Sequence, residues 1–173
     1  MKNQGLEKRI QAEIIDFVST RKSLQLSSIT TEGKPYASYA PFAYSETSIY
    51  VLISEIAVHA INLQKNPLAS VLIIEDEDSA SELFARKRVN YSVESLLIVP
   101  ESENWQQGID ILTARHGDRI GNLSSLADFK LFKLTPTEGR YVKGFGRAYA
   151  FKGHSLAGEL EHLSEGHKKR DAA

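Results

Sequence analysis

The fold is decided by residues 23–54, which are SLQLSSITTEGKPYASYAPFAYSETSIYVLIS. Three segments rich in β-forming residues, SLQLSSIT, YASYAPFAY and SIYVLIS, are separated by the turn sequences TEGKP and SETS. In the first turn, Gly33 tolerates a left-handed backbone and Pro35 fixes its own φ angle. Because the segments are short and the turns are polar, residues 23–54 are predicted to form a β-meander.

Further strands are predicted downstream, at LASVLII, KRVNYSVESLLIV, DFKLFKLTP and GRYVKGFGRAYAF. The strands do not alternate with long helices, so the sequence favours an antiparallel barrel over a doubly wound parallel sheet. The fold class is therefore predicted to be mainly β (α+β), with short flanking helices. Gly144 and Gly146 lie within the last of these segments, where a pair of glycines indicates a β-bulge more often than a cofactor site.

Helices are predicted mainly at the two ends of the chain. Residues 5–20 form the first, because apolar residues recur at helical spacing: Leu6, Ile10, Ile14 and Phe17. The others are predicted before Pro67, at SELFA behind a capping box of Ser79 and Glu82, at residues 103–115 ended by Gly117, and at residues 154–164. Leu156, Leu160 and Leu163 would place an apolar face on this last helix.

Composition limits the classes of protein that the chain can belong to. With 173 residues and 42% hydrophobic content, residues 1–173 are expected to form one domain. The 21 basic and 22 acidic side chains nearly balance, which argues against binding to nucleic acid or to a membrane surface. Cysteine is absent, so any metal must be held by His or carboxylate groups. No stretch has the apolar length of a signal peptide or a membrane span, and we expect a cytoplasmic protein.

Common catalytic motifs are missing from the sequence. There is no GxGxxG, Walker loop, HExxH or GxSxG motif. The histidines are His59, His116, His154, His162 and His167. None of them pair at the i, i+4 spacing that places two metal ligands on one helix face, which argues against a multi-histidine zinc site. A haem iron needs only one axial protein ligand, and an imidazole commonly supplies it.

His167 follows Gly166 in the C-terminal sequence EGHKKR. Glycine commonly ends a helix, so the predicted C-terminal helix would direct His167 away from its last turn. Taken alone, the local sequence favours a different interpretation, in which His167, Lys168 and Lys169 only complement the negative end of the helix dipole.

Several long blocks of the sequence resemble the HugZ/HutZ haem-degrading family, within the pyridoxamine-5′-phosphate-oxidase-like split-barrel superfamily. The resemblance covers nearly the whole chain. Its blocks are RKSLQLSSITTEGKPYASYAPF, YVLISEIAVHAINLQKNPLASVLIIEDE, LFARKRVNYSV, DFKLFKLTPTEGRYVKGFGRAY and HLSEGHKKR. The resemblance implies an antiparallel split β-barrel, and a homodimer that binds haem at the subunit interface and opens the porphyrin with O₂ and electrons. An electron donor and a haem-delivery protein are implied partners.

The resemblance also assigns roles to individual residues. It makes His167, in the haem-ligand tail of residues 154–173, the axial ligand of the iron, and it makes Asp128 the acceptor of a hydrogen bond from that ligand across the dimer. Such an acceptor fixes the imidazole tautomer and raises its basicity. Arg88, Lys168 and Lys169 are candidates for pairing with the haem propionates.

Some alternatives remain open at this point. Asp128 can be interpreted as a turn cap, and the cluster around Arg88 as a solvated strand end. His59 matches another histidine of the family, but it can be interpreted as a buried core imidazole and is not assigned as a ligand. Two other functions compete with haem degradation, namely an FMN-dependent oxidoreductase and a haem carrier without turnover. Absorbance after addition of each cofactor would separate flavin from haem.

Overall fold

A computed structural model of the protein describes residues 4–162, with the backbone alone at His162. The helices in this range are α1 (Gln4–Thr20), α2 (Val58–Lys65), α3 (Glu103–His116) and α4 (Arg119–Ser124). The strands are β1 (Ser23–Ile29), β2 (Pro35–Pro41), β3 (Ala43–Tyr44), β4 (Ile49–Ser54), β5 (Leu68–Ile74), β6 (Arg88–Leu97), β7 (Phe129–Val142), β8 (Ala148–Lys152) and β9 (Glu159–His162). Two 3₁₀ turns, Glu77–Ser79 and Leu83–Ala85, lie between β5 and β6.

The strands form one antiparallel sheet in the order β2-β1-β5-β6-β7-β4-β3, and β8 and β9 extend it from β7. On one side β7 pairs with β6 along most of its length. On the other side β4 pairs with residues 129–134 of β7, and β8 pairs with residues 138–142. The sheet therefore divides at the middle of β7 and curls into a half-barrel, which confirms the predicted antiparallel split barrel.

The division of the sheet coincides with an irregularity inside β7. Two separate strands are predicted over residues 128–151, but residues 129–142 form one continuous strand. Ser92 pairs with Glu138 and Val93 with Pro136, so Thr137 is an extra residue on β7 and forms a bulge. Proline has no N–H to give to a neighbouring strand and is tolerated at bulges. Pro136 therefore lies where the partner of β7 changes from β4 to β8.

The predicted β-meander of residues 23–54 is wrong in its pairing. β1 and β2 form one hairpin and β3 and β4 form another, but these hairpins lie at opposite ends of the strand order. Only Phe42 separates β2 from β3, and its side chain is fully buried. The chain thus passes from one edge of the curled sheet to the other at a single residue, and the Phe42 ring packs in the core at this point.

The apolar core has two parts. The larger one lies between α1 and the concave face of the sheet, where Ile10, Ile14, Phe17 and Val18 are buried. The predicted N-terminal helix is therefore confirmed in position and in its buried face. The second part lies under α3, where Leu112 packs with Tyr50, Leu52 and Leu131. Each buried apolar side chain contributes roughly 1.5–3 kcal/mol to folding.

The helix predicted over residues 154–164 is not present in its described part. Residues 153–158 form a turn, and Glu159–His162 form β9, which pairs with β8. Leu156 is fully buried, its N–H donates to Glu46 O at 3.0 Å, and its carbonyl accepts from the Tyr91 hydroxyl. These long-range backbone bonds replace the i to i−4 bonds of a helix. Leu163 and the rest of the predicted helix lie outside the described residues.

Two smaller predictions also change. Ser79 does not form a capping box, because it lies at the end of the first 3₁₀ turn and its hydroxyl donates to Asp76 O. Glu82 instead accepts from Phe84 N at the start of the second 3₁₀ turn. Gly144 and Gly146 have φ angles of 149° and 66° and form the turn between β7 and β8, not a bulge within a strand. The helices predicted before Pro67 and before Gly117 are confirmed as α2 and α3.

Candidate functional site

Asp128 lies in the turn that leads into β7 and is fixed there by two hydrogen bonds from the end of β4. Its carboxylate oxygen Oδ2 accepts from Ser54 Oγ at 2.8 Å, and its backbone carbonyl accepts from Glu55 N at 2.7 Å. The residue is half-buried. The bond to Glu55 continues the β4–β7 pairing by one step, so Asp128 also has the structural contact expected of a turn cap.

The second carboxylate oxygen of Asp128, Oδ1, has no hydrogen-bond donor among residues 4–162. The nearby cation Lys130 is already paired, with Glu55 at 3.2 Å and with the carbonyl of Ala127 at 2.9 Å. Oδ1 of this half-buried carboxylate can therefore accept a hydrogen bond from a group outside residues 4–162. A histidine N–H is a suitable donor.

Arg88 is the first residue of β6 and is half-buried. Its Nη1 donates to the carbonyl of Arg86 at 2.9 Å. Within the described part of the chain, no carboxylate lies within ion-pair distance of Arg88, whereas Arg86 pairs with Glu77 at 3.5 Å. The Arg88 guanidinium therefore keeps donors for a carboxylate that does not belong to residues 4–162.

The structure does not bring Asp128 and Arg88 together within one subunit. Asp128 precedes Phe129, which pairs with Ser54, whereas Arg88 pairs with Val142 at the other end of β7. A strand of 14 residues spans about 45 Å at its usual rise. If both residues act at one site, the two ends of β7 must come from two subunits.

His59 lies on α2 and hydrogen-bonds within the subunit. Its Nδ1 is 2.9 Å from Ser38 Oγ, which itself donates to Leu26 O at 3.2 Å. Burial lowers the pKa of His59, which favours the neutral ring. His59 is thus a half-buried imidazole with a hydrogen-bond partner inside its own subunit.

The remaining predicted site residues are outside the range that the structure covers. His167, Lys168 and Lys169 all follow His162, where the described part of the chain ends. Of the other histidines, His116 Nε2 lies 2.7 Å from Phe42 O, and His154 is exposed in the turn before β9.

The convex face of the sheet has a shallow depression of about 520 Å³ over β1, β2, β5 and β6. It is lined by short polar side chains, including Ser27, Ser70 and Asn90, and by Tyr39 and Leu72. Tyr39 is 69% exposed. This face was not predicted, because alternating small polar residues on a strand are also what a solvated sheet face shows.

Ser54 is the other residue that sequence analysis missed. It is 74 positions from Asp128 in the chain, and a serine that ends an apolar strand carries no signal of its own. Only the pairing of β4 with β7 indicates the contact.

Residues 4–162 contain neither a metal-binding cluster nor a membrane-spanning helix. No group of three or more His, Cys, Asp or Glu side chains is arranged to hold a metal ion. No helix in the same range has the length and apolar character needed to cross a bilayer.

Comparison with known proteins identifies relatives along most of the chain. The pyridoxamine 5′-phosphate oxidase family profile matches residues 10–143. Heme oxygenase HutZ of Vibrio cholerae serotype O1 is 44% identical over 98% of this chain and 96% of its own length. A crystal structure of HutZ, described as the heme storage protein from Vibrio cholerae, superposes with a TM-score of 0.68 at 39% identity, covering 84% of this chain and 96% of that one.

Campylobacter jejuni ChuZ is a further structural relative, with a TM-score of 0.77 at 30% identity over 94% of this chain and 68% of that chain. The matches extend across the split barrel and into the segments that hold Arg88 and Asp128. The chain therefore belongs to the pyridoxamine-5′-phosphate-oxidase-like split-barrel superfamily and, within it, to the HugZ/HutZ family.

Proposed function

We propose that the protein is a homodimer that binds haem at the subunit interface and degrades it with O₂ and electrons, releasing the iron. The observation that carries this proposal is the placement of Asp128 and Arg88. Each has an unused polar group suited to one part of a haem site. Asp128 precedes the first residue of β7, and Arg88 of β6 pairs with the last residue of β7. The names of the relatives, heme oxygenase HutZ and the heme storage protein, point to the same ligand.

The length of the C-terminal segment supports a site shared between subunits. His162 in β9 pairs with Tyr149, which pairs with Tyr141 near the Arg88 end of β7. His167 is five residues further on, and five residues reach at most about 18 Å. Asp128 of the same subunit lies roughly 40 Å away along β7. The proposed contact between His167 and Asp128 is therefore a contact between two subunits.

The proposed roles follow from the chemistry of the side chains. His167 holds the iron, and the free oxygen Oδ1 of Asp128 accepts the second ring N–H of that imidazole, which fixes its tautomer. The guanidinium of Arg88 pairs with a propionate, and Lys168 and Lys169 add positive charge nearby. When bound, haem supplies the redox chemistry with O₂, and the protein ligates, orients and tunes it.

The surface of the sheet suits such a dimer. The depression over β1, β5 and β6 is lined by short side chains, which let a second backbone approach closely, and the apolar groups of Tyr39 and Leu72 would be covered by a partner. A two-fold axis beside this face would set the two β7 strands in opposite directions, so that the Arg88 end of one subunit meets the Asp128 end of the other.

Haem storage without turnover is a second candidate, because HutZ of Vibrio cholerae is described both as a heme oxygenase and as a heme storage protein. The family profile also keeps an FMN-dependent oxidoreductase as an alternative. An enzyme would further need an electron donor and a protein that delivers haem.

A cofactor titration tests the proposal. We expect the absorbance of added haem to shift with an end point of one haem per site, and FMN to give no shift at the same concentration. Ascorbate and O₂ should then bleach the bound haem and release iron that a ferrous chelator detects. Binding of FMN in place of haem would contradict the proposal, and stable haem under reductant and O₂ would favour storage.

A further inference from the structure

We infer that Ser54 is a positioning residue that orients the carboxylate of Asp128 toward the iron-bound histidine of the other subunit. This inference rests on the proposed function. Ser54 ends β4 and pairs with Phe129, so its side chain lies beside the turn that carries Asp128. Its hydroxyl donates to Oδ2 of Asp128 at 2.8 Å.

The geometry restrains both the backbone and the side chain of Asp128. The bond from Glu55 N to Asp128 O fixes the backbone at 2.7 Å, and the Ser54 hydroxyl fixes the rotation of the carboxylate about its last torsion. That torsion is broad in an unrestrained aspartate. With Oδ2 held, Oδ1 is the oxygen that remains available, and no donor among residues 4–162 competes for it.

The nearby charges leave this arrangement undisturbed. Lys130 is only 24% exposed at its side chain and is occupied by Glu55 and by the Ala127 carbonyl. If Lys130 were unpaired, it could draw the carboxylate toward itself. The orientation of Asp128 is therefore set by the neutral hydroxyl of Ser54, which leaves the negative charge available to the imidazole N–H.

The Ser54 hydroxyl has two opposite effects on the strength of the hydrogen bond between Asp128 and the histidine. Its hydrogen bond withdraws some charge from the carboxylate, which weakens Asp128 as an acceptor, but it also holds Oδ1 in line with the N–H. We propose that orientation dominates, because hydrogen bonds weaken steeply as their angle departs from linear. Removal of the hydroxyl should then weaken the bond to the histidine.

The test measures the iron–histidine stretching frequency of the ferrous haem complex by resonance Raman spectroscopy, together with haem affinity by titration. This frequency falls when the bond from the ligand N–H to its acceptor weakens. We expect Asp128→Asn to lower the frequency, Ser54→Ala to lower it by a smaller amount, and Ser54→Thr to restore the wild-type value. Ser54→Cys, which keeps a weaker donor, should give an intermediate value.

Thr31→Ala is the matched control. Thr31 Oγ1 donates to the carboxylate of Glu32 at 2.8 Å, the same type and length of bond, in the turn between β1 and β2. Its loss should leave the frequency unchanged. In the double variant Ser54→Ala with Asp128→Asn, the shift should equal that of Asp128→Asn alone, because the two residues act in series.

The outcomes separate this inference from the proposed function. If the wild-type protein takes up no haem, both fail. If Asp128→Asn shifts the frequency and Ser54→Ala does not, or shifts it upward, Ser54 does not orient the carboxylate and the proposed function stands. If Asp128→Asn leaves the frequency unchanged in a haem-bound protein, the roles of both residues fail.

Discussion

The buried hydroxyl of Tyr91 donates a hydrogen bond of 2.8 Å to the carbonyl of Leu156. The Tyr91 ring meets Phe151 edge-on, with centroids 5.8 Å apart, and its burial raises the pKa of the phenol. Leu156 lies in the turn between β8 and β9, where the sequence predicted a helix. This bond therefore fixes to the core the segment from which the C-terminal residues depart.

Replacement of Tyr91 by Phe should lower the free energy of unfolding by about 1–3 kcal/mol, because the Leu156 carbonyl is left buried without a donor. Urea denaturation measures the loss. Tyr36→Phe is the control, since Tyr36 is 37% exposed and should change the stability by less than about 0.5 kcal/mol. Equal stability of Tyr91→Phe and the wild type would show that water replaces the bond.

Substitution of Gly139 by any residue with a side chain is predicted to destabilise the protein. A Cβ at this position would lie 2.2 Å from the Phe151 ring, which is 1% exposed and unable to move aside. Gly139→Ala should lower the free energy of unfolding by about 1–3 kcal/mol through overpacking. Thermal or urea denaturation measures this change.

Gly121→Ala is the matched control for Gly139→Ala. Gly121 lies within α4, and a Cβ there meets no atom within 4 Å. The substitution should be neutral or stabilise the protein by up to about 1 kcal/mol, because alanine favours the helix. A loss of stability in both variants would indicate that the close approach of Phe151 to Gly139 is not the cause.

Local patterns in the sequence predicted the elements that depend on local physics. The helical spacing in α1 and the Pro67 and Gly117 stops placed α1, α2 and α3 correctly. The spacing of Leu156, Leu160 and Leu163 predicted a helix that is not present over residues 154–162, because three leucines at helical spacing also arise by coincidence. There, long-range bonds to Glu46 and Tyr91 decide the conformation, and neither partner is near in sequence.

The site residues also divide into those that the sequence indicates and those that depend on long-range strand pairing. Asp128 and Arg88 were found through the resemblance to a family, whose blocks contain them. Ser54 was not found, because its contact with Asp128 depends on which strands pair. The separation of Arg88 from Asp128 depends on β7 being one strand, whereas the sequence predicted two. Strand order is set by the closure of the whole sheet, which no local pattern records.

Ser70→Arg should prevent the dimer from forming. Ser70 lies on the convex face of the sheet, in the depression lined by short side chains, and a long charged group there would hold a second subunit away. We expect light scattering to report a dimer for the wild type and a monomer for the variant at micromolar concentration. The control variant Ser124→Arg, on α4, should remain dimeric. A wild type that is monomeric with and without haem would contradict a haem site shared between subunits.

Asp128→Asn should reduce turnover more than haem binding. The substitution keeps the size of the side chain and removes its charge, so that the bond from iron to His167 can persist while the basicity of the imidazole falls. We expect the rate of haem loss with ascorbate and O₂ to fall by about tenfold or more, with a smaller change in haem affinity. Equal loss of rate and affinity would point to a structural role for Asp128, through its bonds to Ser54 and Glu55.

His167→Ala tests the axial ligand directly. If His167 holds the iron, its loss should change the absorption spectrum of bound haem and abolish ring opening, because no imidazole then donates to the metal. The melting temperature without haem should stay nearly constant, whereas removal of a core histidine would cost about 1 kcal/mol or more. His154→Ala, at an exposed position before β9, should leave the spectrum unchanged. A wild-type spectrum and full activity in His167→Ala would show that the ligand is another residue, and that the terminal histidine only adds charge to the C-terminal segment.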